Sequence, residues 1–299
     1  MSLTGQQITL THGDQVATLA SLGAALRIYT VGGRDVVLPY GEDEFPPAFA
    51  GMVLAPWPNR LRDGQYTFAG EELQVPVSEP DRGTALHGLA SFQYWTVESV
   101  ADASVTFTLD LAPSPGYPFQ LALATTYTLS DAGLAITTEA RNVGATALPY
   151  GVGFHPWFAP GGTELDACTL QLTAGQNVTV DERLLPTGAV DVSGTFDIRE
   201  ARSLAGVGFD DAWVAPSQDG EGRSWARLGW ADGSTVEIWA DSEAKAWQIC
   251  TGDHVDSIRR AGVAIEPMSC IADAFRTGDD LITLEPGASH SLTWGVRLV

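Results

Sequence analysis

Apolar and polar residues alternate along most of this chain. Phe119, Leu121, Leu123, Thr125, Tyr127 and Leu129 fall on one parity, with Gln120, Ala122, Ala124, Thr126 and Thr128 on the other. That period of two predicts a half-buried strand. Ser130-Asp131-Ala132-Gly133 reads as a turn, after which Leu134, Ile136 and Thr138 resume the alternation, so a hairpin is expected. A second hairpin is predicted from Tyr66-Thr67-Phe68, Ala69-Gly70 and Leu73-Gln74-Val75. The stretch from Trp225 to Trp239 folds about Asp232-Gly233, a type I′ signal. Strands also fit 16–19, 26–31, 95–100, 105–111 and 291–298. Amphipathic helices are absent, and only short turns are expected around 42–49 and 271–275. Nothing reads as a linker. The pattern predicts an all-β chain, one domain over 1–299, built as a large sandwich of two antiparallel sheets.

Apolar content of 44% over 299 residues is enough for a substantial core. Nine Trp add material for strands and for platforms beneath sugar rings. Sixteen Lys and Arg against 37 Asp and Glu leave a net charge of −21. This disfavours nucleic acid and anionic membranes, which require basic surfaces, and weighs against a heavily phosphorylated substrate. The first residues carry neither a basic nor an apolar stretch, so no secretory signal is read, and no apolar run approaches a membrane span. Cys168, Cys250 and Cys270 lack metal-ligand spacing and read as reduced, buried thiols of a cytoplasmic protein.

Several segments at strand ends or turns carry candidate chemistry. His155 lies in Gly151-Val152-Gly153-Phe154-His155-Pro156-Trp157-Phe158, where glycines permit close approach and a proton-moving imidazole sits among aromatics. Taken alone, a buried, hydrogen-bonded turn histidine is the better explanation. Pro56-Trp57-Pro58-Asn59-Arg60 stiffens the approach to a guanidinium fork suited to adjacent hydroxyls. His87 stands among small residues in Gly83-Thr84-Ala85-Leu86-His87-Gly88. Glu266 ends an apolar strand in Val263-Ala264-Ile265-Glu266-Pro267. It is either a desolvated base or half of a structural ion pair, and Pro267 is expected to end strand pairing there. Asp210 and Asp211 follow Phe209 and could accept hydrogen bonds from vicinal hydroxyls or cap a turn.

In chain order these segments resemble the aldose 1-epimerase (galactose mutarotase) family. The resemblance rests on Asn59-Arg60 with Gly64, Phe68 and Gly70, on Leu86-His87-Gly88, on the His155 run and on Phe209-Asp210. It continues through Trp247-Gln248-Ile249-Cys250-Thr251-Gly252, Ala264-Ile265-Glu266-Pro267, Ala272-Asp273-Ala274-Phe275 and the C-terminal Leu292-Thr293-Trp294-Gly295-Val296. It implies the galactose mutarotase-like supersandwich and a cofactor-free, metal-free isomerase. Its substrate would be a monosaccharide, a free aldohexose, handled by a monomer or homodimer. By the same resemblance Glu266 is the general base at the anomeric O1 hydroxyl and His155 the general acid at the ring oxygen. Their proximity is expected to favour a charged pair. Arg60, His87 and Asp210 would hold ring hydroxyls, with Gln248 and Asn59 beside them and Trp57, Trp157 and Phe158 as aromatic platforms. Two departures stand out. Pro156-Trp157-Phe158 replaces an Asn-containing continuation, and Asp211 stands where a histidine usually follows the aspartate, which leaves Asp210 and Asp211 both open.

Three other readings compete. A hexose 6-phosphate epimerase would recruit cations such as Arg62, Arg82 and Lys245. A non-catalytic carbohydrate-binding protein would use the same platform. A metal hydrolase would draw on His87, His155 and Glu266, although these lack common zinc spacing.

Overall fold

The computed structural model describes residues 2–299. Leu121–Ser130 pairs with Gly133–Asn142 from Leu121↔Asn142 to Ser130↔Gly133. Leu121, Leu123, Thr125, Tyr127 and Leu129 are buried, and the intervening residues are more exposed. Each buried Leu contributes roughly 1.5–3 kcal/mol by leaving water. Thr125 faces Thr138 across the pair, and their hydroxyls bond at 2.9 Å, which satisfies two polar groups inside the core.

This hairpin sits inside a nine-stranded antiparallel sheet. Its strands run in the order Thr96–Ala101, Ser104–Leu111, Leu121–Ser130, Gly133–Asn142, Ser289–Leu298, Thr235–Ala240, Ser224–Gly229, Thr169–Leu172, Arg202–Ser203. An eight-stranded sheet faces it, with Pro186–Asp191, Ala174–Val180, Asp210–Pro216, Ala246–Cys250, Val263–Met268, Gly153–Phe154 and Val53–Leu54 in order, and Trp157–Phe158 also on Val263–Met268. Trp294 of the first sheet packs on Phe154 of the second at 5.6 Å, and Trp247 donates to Ser224 across the layer. A four-stranded sheet, Gln7–His12 to Arg34–Asp35, joins through Tyr127, whose hydroxyl donates to the Ala24 carbonyl. Helix is confined to single turns, among them Pro47–Phe49 and Ala274–Thr277, near the two short turns expected. No helix is long and apolar enough to cross a membrane.

Two local expectations are corrected. At Asp232-Gly233 only Gly233 is left-handed, at φ 92°. Gly233 N–H bonds the Trp230 carbonyl and Trp230 N–H bonds Ser234, making a type I turn with a glycine bulge rather than type I′. The Asp232 carboxylate accepts the Ser234 N–H at 2.9 Å and holds this shape. Pro267 does not end pairing, because it lies within Val263–Met268 opposite Trp247. On the other edge, Ile265 and Ser269 donate to the Pro156 and Val152 carbonyls. Proline therefore interrupts only one position of that edge, opposite Phe154, and the bonds on either side of it are kept.

Candidate active site

Three adjacent strands of the eight-stranded sheet lay polar groups on one face. Ala212 pairs with Gln248 and Gln248 with Glu266, while Asp210 pairs with Cys250. With a period of two, Asp210, Gln248, Cys250 and Glu266 share that face, and Asp211 falls on the other. Asp210 is therefore the aspartate that lines the cavity. Burial raises the pKa of the Asp211 carboxyl, against the Asp210 N–H that it accepts at 3.1 Å, and the Asp210 charge adds a smaller rise.

The second wall comes from the short ladder Arg60–Arg62 with Thr84–Leu86. Asn59 and His87 flank it, both left-handed at φ 55° and 60°. Asn59 tolerates this because its side-chain oxygen accepts the Arg60 N–H at 2.8 Å. His87 N–H bonds the Asn59 carbonyl, and Asn59 N–H donates to His87 Nδ1 at 3.2 Å. Nδ1 is thus an acceptor, which leaves Nε2 of the neutral ring as the donor. Burial pushes the His87 pKa well below the usual histidine value, with His155 and Arg60 adding to the effect.

His155 comes from the break between Gly153–Phe154 and Trp157–Phe158, held by hydrogen bonds to Met52 and Gly51. The glycines before it admit protein rather than ligand, since Cys270 packs where a Gly151 side chain would be and Pro58 where a Gly153 side chain would be. His155 Nε2 lies 3.5 Å from Glu266 Oε1. Both side chains are buried, and neither His155 Nδ1 nor Glu266 Oε2 has a protein partner. Burial lowers the His155 pKa to about 3. It also holds Glu266 well above the carboxylate range, with the nearby Asp210 charge acting in the same direction. Desolvation of both groups works toward the neutral pair, against the charged pair that proximity alone favours.

These elements enclose a cleft of about 260 Å³, the size of a monosaccharide site. Asn59, Arg60, His87, His155, Trp157, Asp210, Gln248 and Glu266, drawn from distant parts of the sequence, all line it. Gln248 Nε2 donates to Asp210 Oδ1 at 2.9 Å and orients that carboxylate. The aromatic expectations change. Trp57 and Phe158 belong to the core rather than to the cleft. Trp157 lines the cleft but is buried, stacked on His155 at 5.7 Å with its indole N–H on the Ala48 carbonyl, so it braces the imidazole.

The sequence did not point to Glu79, Phe49, His254 or Cys250, which also line the cleft. Glu79 takes the Arg60 guanidinium in a fork, at 2.9 and 3.1 Å, and also receives Thr84 Oγ1 and Arg82. It precedes Pro80 in a loop with no periodic signal. Removing Glu79 leaves the buried Arg60 guanidinium without its fork, although Glu79 itself is only partly buried. Glu79→Ala is expected to destabilise the protein by about 1–2 kcal/mol and to raise KM more than it lowers kcat. Urea titration and initial rates check this, and a stability loss under about 0.5 kcal/mol would show Arg60 to be held by other groups. Phe49 sits at the rim with Ala48, at φ 57° and 44°. Two successive non-glycine residues in this region cost about 1–2 kcal/mol each. His254, half-exposed at the mouth, places Nε2 3.6 Å from Asp210 Oδ2. Burial pushes the Cys250 thiol up, which makes it inert at neutral pH. Among the described residues, no three His, Cys, Asp or Glu side chains converge on a metal-sized site.

The aldose 1-epimerase family model matches residues 6–297. The chain belongs to the aldose 1-epimerase family. It is 34% identical to the uncharacterised Escherichia coli protein YihR over 298 residues, covering 99% of this chain and 94% of that protein. It is 27% identical to the aldose 1-epimerase of the same species over 270 residues, 81% of this chain and 77% of that enzyme. Among solved structures, the aldose epimerase homologue of C. elegans superposes with a TM-score of 0.88 at 21% identity, covering 98% of each chain. That likeness establishes the galactose mutarotase-like fold. Family membership establishes an epimerase-type isomerase acting on carbohydrate.

Proposed function

We propose that this chain, acting as one catalytic unit over 1–299, interconverts the α and β anomers of a free aldohexose without a cofactor. The observation that carries the reading is the buried His155–Glu266 pair, 3.5 Å apart, with one unpartnered polar atom on each member. The pair shares one proton, and moving it from Glu266 to His155 produces a base and an acid together. Sugar hydroxyls that donate to the Glu266 carboxylate favour that transfer, because they replace the hydration which burial removed. Glu266 then takes the O1 hydroxyl proton while His155 protonates the ring oxygen, and the C1–O5 bond opens to the aldehyde. Rotation about C1–C2 and closure on the other face return both protons. Each group is worth roughly 10²–10⁴-fold, which is ample for a reaction that water already performs slowly. Arg60, His87, Asp210, Gln248 and Asn59 surround the space left for the ring and are assigned to its hydroxyls. Three buried thiols fit a reducing cytoplasmic setting.

The cations that a phosphorylated sugar would recruit are each already paired with carboxylates. Arg62 pairs with Asp181 and Asp273, Arg82 with Glu79, and Lys245 with Glu243. A purely sugar-binding role would leave the neutralised acid–base pair without use. NMR exchange spectroscopy of glucose and galactose tests the reading. Anomer exchange is expected to run far above the buffer rate with micromolar protein. Binding without acceleration would favour the carbohydrate-binding alternative.

A further inference from the structure

A run of aromatic rings leads from the cleft to the surface. Phe49 sets its edge against His87, with centroids 4.5 Å apart, and lies nearly parallel to His155 at 6.3 Å and 19°. Phe92 follows at 5.1 Å, and Phe45 stacks on Phe92 at 5.3 Å and 20°. Exposure rises outward, to 44% at Phe92 and 67% at Phe45, although a folded chain ordinarily buries such rings. The inner ring is fixed at a cost in backbone strain. Ala48 and Phe49 are both left-handed, and the Ala48 carbonyl is pinned by the Trp157 indole at 3.1 Å. The same turn is tied to His155 through Gly51 N–H and the His155 carbonyl. A strained, pinned aromatic beside the acid candidate, continued by two exposed ones, forms a built surface continuous with the cleft.

We infer that Phe49, Phe92 and Phe45 form a subsite for a second sugar ring carried on O6 of the aldose held in the cleft. The inference rests on the epimerase reading, which anchors the ring at O1 and at the ring oxygen. With O1 at Glu266 and the ring oxygen at His155, C5 and its C6 arm lie on the His155 side, where Phe49 borders the cleft. A substituent on O6 leaves past Phe49 and reaches Phe92 and Phe45, whose faces offer the flat apolar area that pyranose rings stack on. The anomeric end of the occupant is free, so the ligand class is a reducing 6-linked disaccharide.

The test follows anomer exchange for glucose and galactose, then for the 6-O-glucosyl and 4-O-glucosyl derivatives of the faster sugar. KM for the 6-linked compound is expected to be about fivefold below that of its 4-linked isomer. Phe92→Ser and Phe45→Ser should remove that advantage while leaving turnover of the monosaccharide within about twofold, since both rings lie outside the cleft. Equal KM for the two linkages, or an advantage that survives both substitutions, overturns the subsite while leaving the epimerase reading intact. If neither monosaccharide is turned over, the epimerase reading fails and the subsite with it. Concentration-dependent dimerisation that Phe45→Ser abolishes, with no change in KM, would assign the patch to a second copy of the chain and overturn the sugar subsite.

Discussion

Replacing Glu266 with Gln should slow anomer exchange by about 10²–10⁴-fold while making the protein more stable than wild type at pH 8.5. The first effect follows from removing the proposed base without changing its volume. The second follows from where Glu266 sits. It is buried on the sheet face, its carboxyl is held above the usual range by desolvation and by Asp210, and one of its oxygens lacks a partner. Below the ordinary carboxylate pKa both the folded and the unfolded chain are protonated, and the residue has no pH-dependent effect on stability. Above it the unfolded chain releases the proton and the folded chain does not. Stability is then lost at about 1.4 kcal/mol per pH unit until the raised value is reached. Gln removes that slope. His155 works in the opposite sense on the acid side. Its pKa is lowered to about 3, so stability falls as pH drops below the ordinary histidine value, and Glu266→Gln leaves that limb in place. Thermal melts at pH 5.5 and 8.5 check the account. The gain over wild type should be larger at pH 8.5, and an equal or lower Tm there would show that the carboxylate is ionised and stabilised in the fold.

A single methyl at Gly88 is expected to destabilise the protein by about 3–4 kcal/mol and to displace His87 from the cleft. Gly88 has φ 72°, and a Cβ there would stand 2.1 Å from the Ala55 carbonyl oxygen and 2.4 Å from its carbon. That carbonyl cannot retreat, because it accepts the N–H groups of Leu89 and Ala90 at 2.7 and 3.0 Å. The preceding residue, His87, is itself left-handed and tied to Asn59 through Nδ1 and its own N–H. Relief of the clash therefore has to move the loop that aims His87 Nε2. Urea titration of Gly88→Ala, with KM for the aldose, checks both effects. A loss below about 1 kcal/mol would mean that the loop yields at little cost.

Much of this fold was legible because strand alternation is a local signal with a physical cause. Phe119 to Leu129 had to bury one parity, and the register of that hairpin follows from its turn. The lining of the cleft by Arg60, His87, His155, Asp210, Gln248 and Glu266 was anticipated only through their combined order, since taken alone Arg60 and His87 read equally well as structural, and His155 and Glu266 better so. What stayed hidden lies in loops, where no period exists. Glu79 and Phe49 take their places through long-range partners, Arg60 and the His155 turn, that sequence spacing does not encode. Phe158, expected as a platform, lies in the core for a related reason. Trp157 and Phe158 alternate as strand residues do, and the eight-stranded sheet buries both. Pro267 misled because a proline removes one donor only, and the bonds of Ile265 and Ser269 on either side hold the edge.

The central claim is that His155 and Glu266 act as one acid–base unit. The most direct test compares kcat/KM for anomer exchange in wild type, His155→Ala, Glu266→Gln and the double variant, with circular dichroism confirming that each is folded. Groups acting as a unit are not additive. Each single substitution should lose about 10²–10⁴-fold, and the double variant should lose no more than the worse single one. Near-wild-type exchange in either single variant, or losses that multiply in the double, would contradict the account.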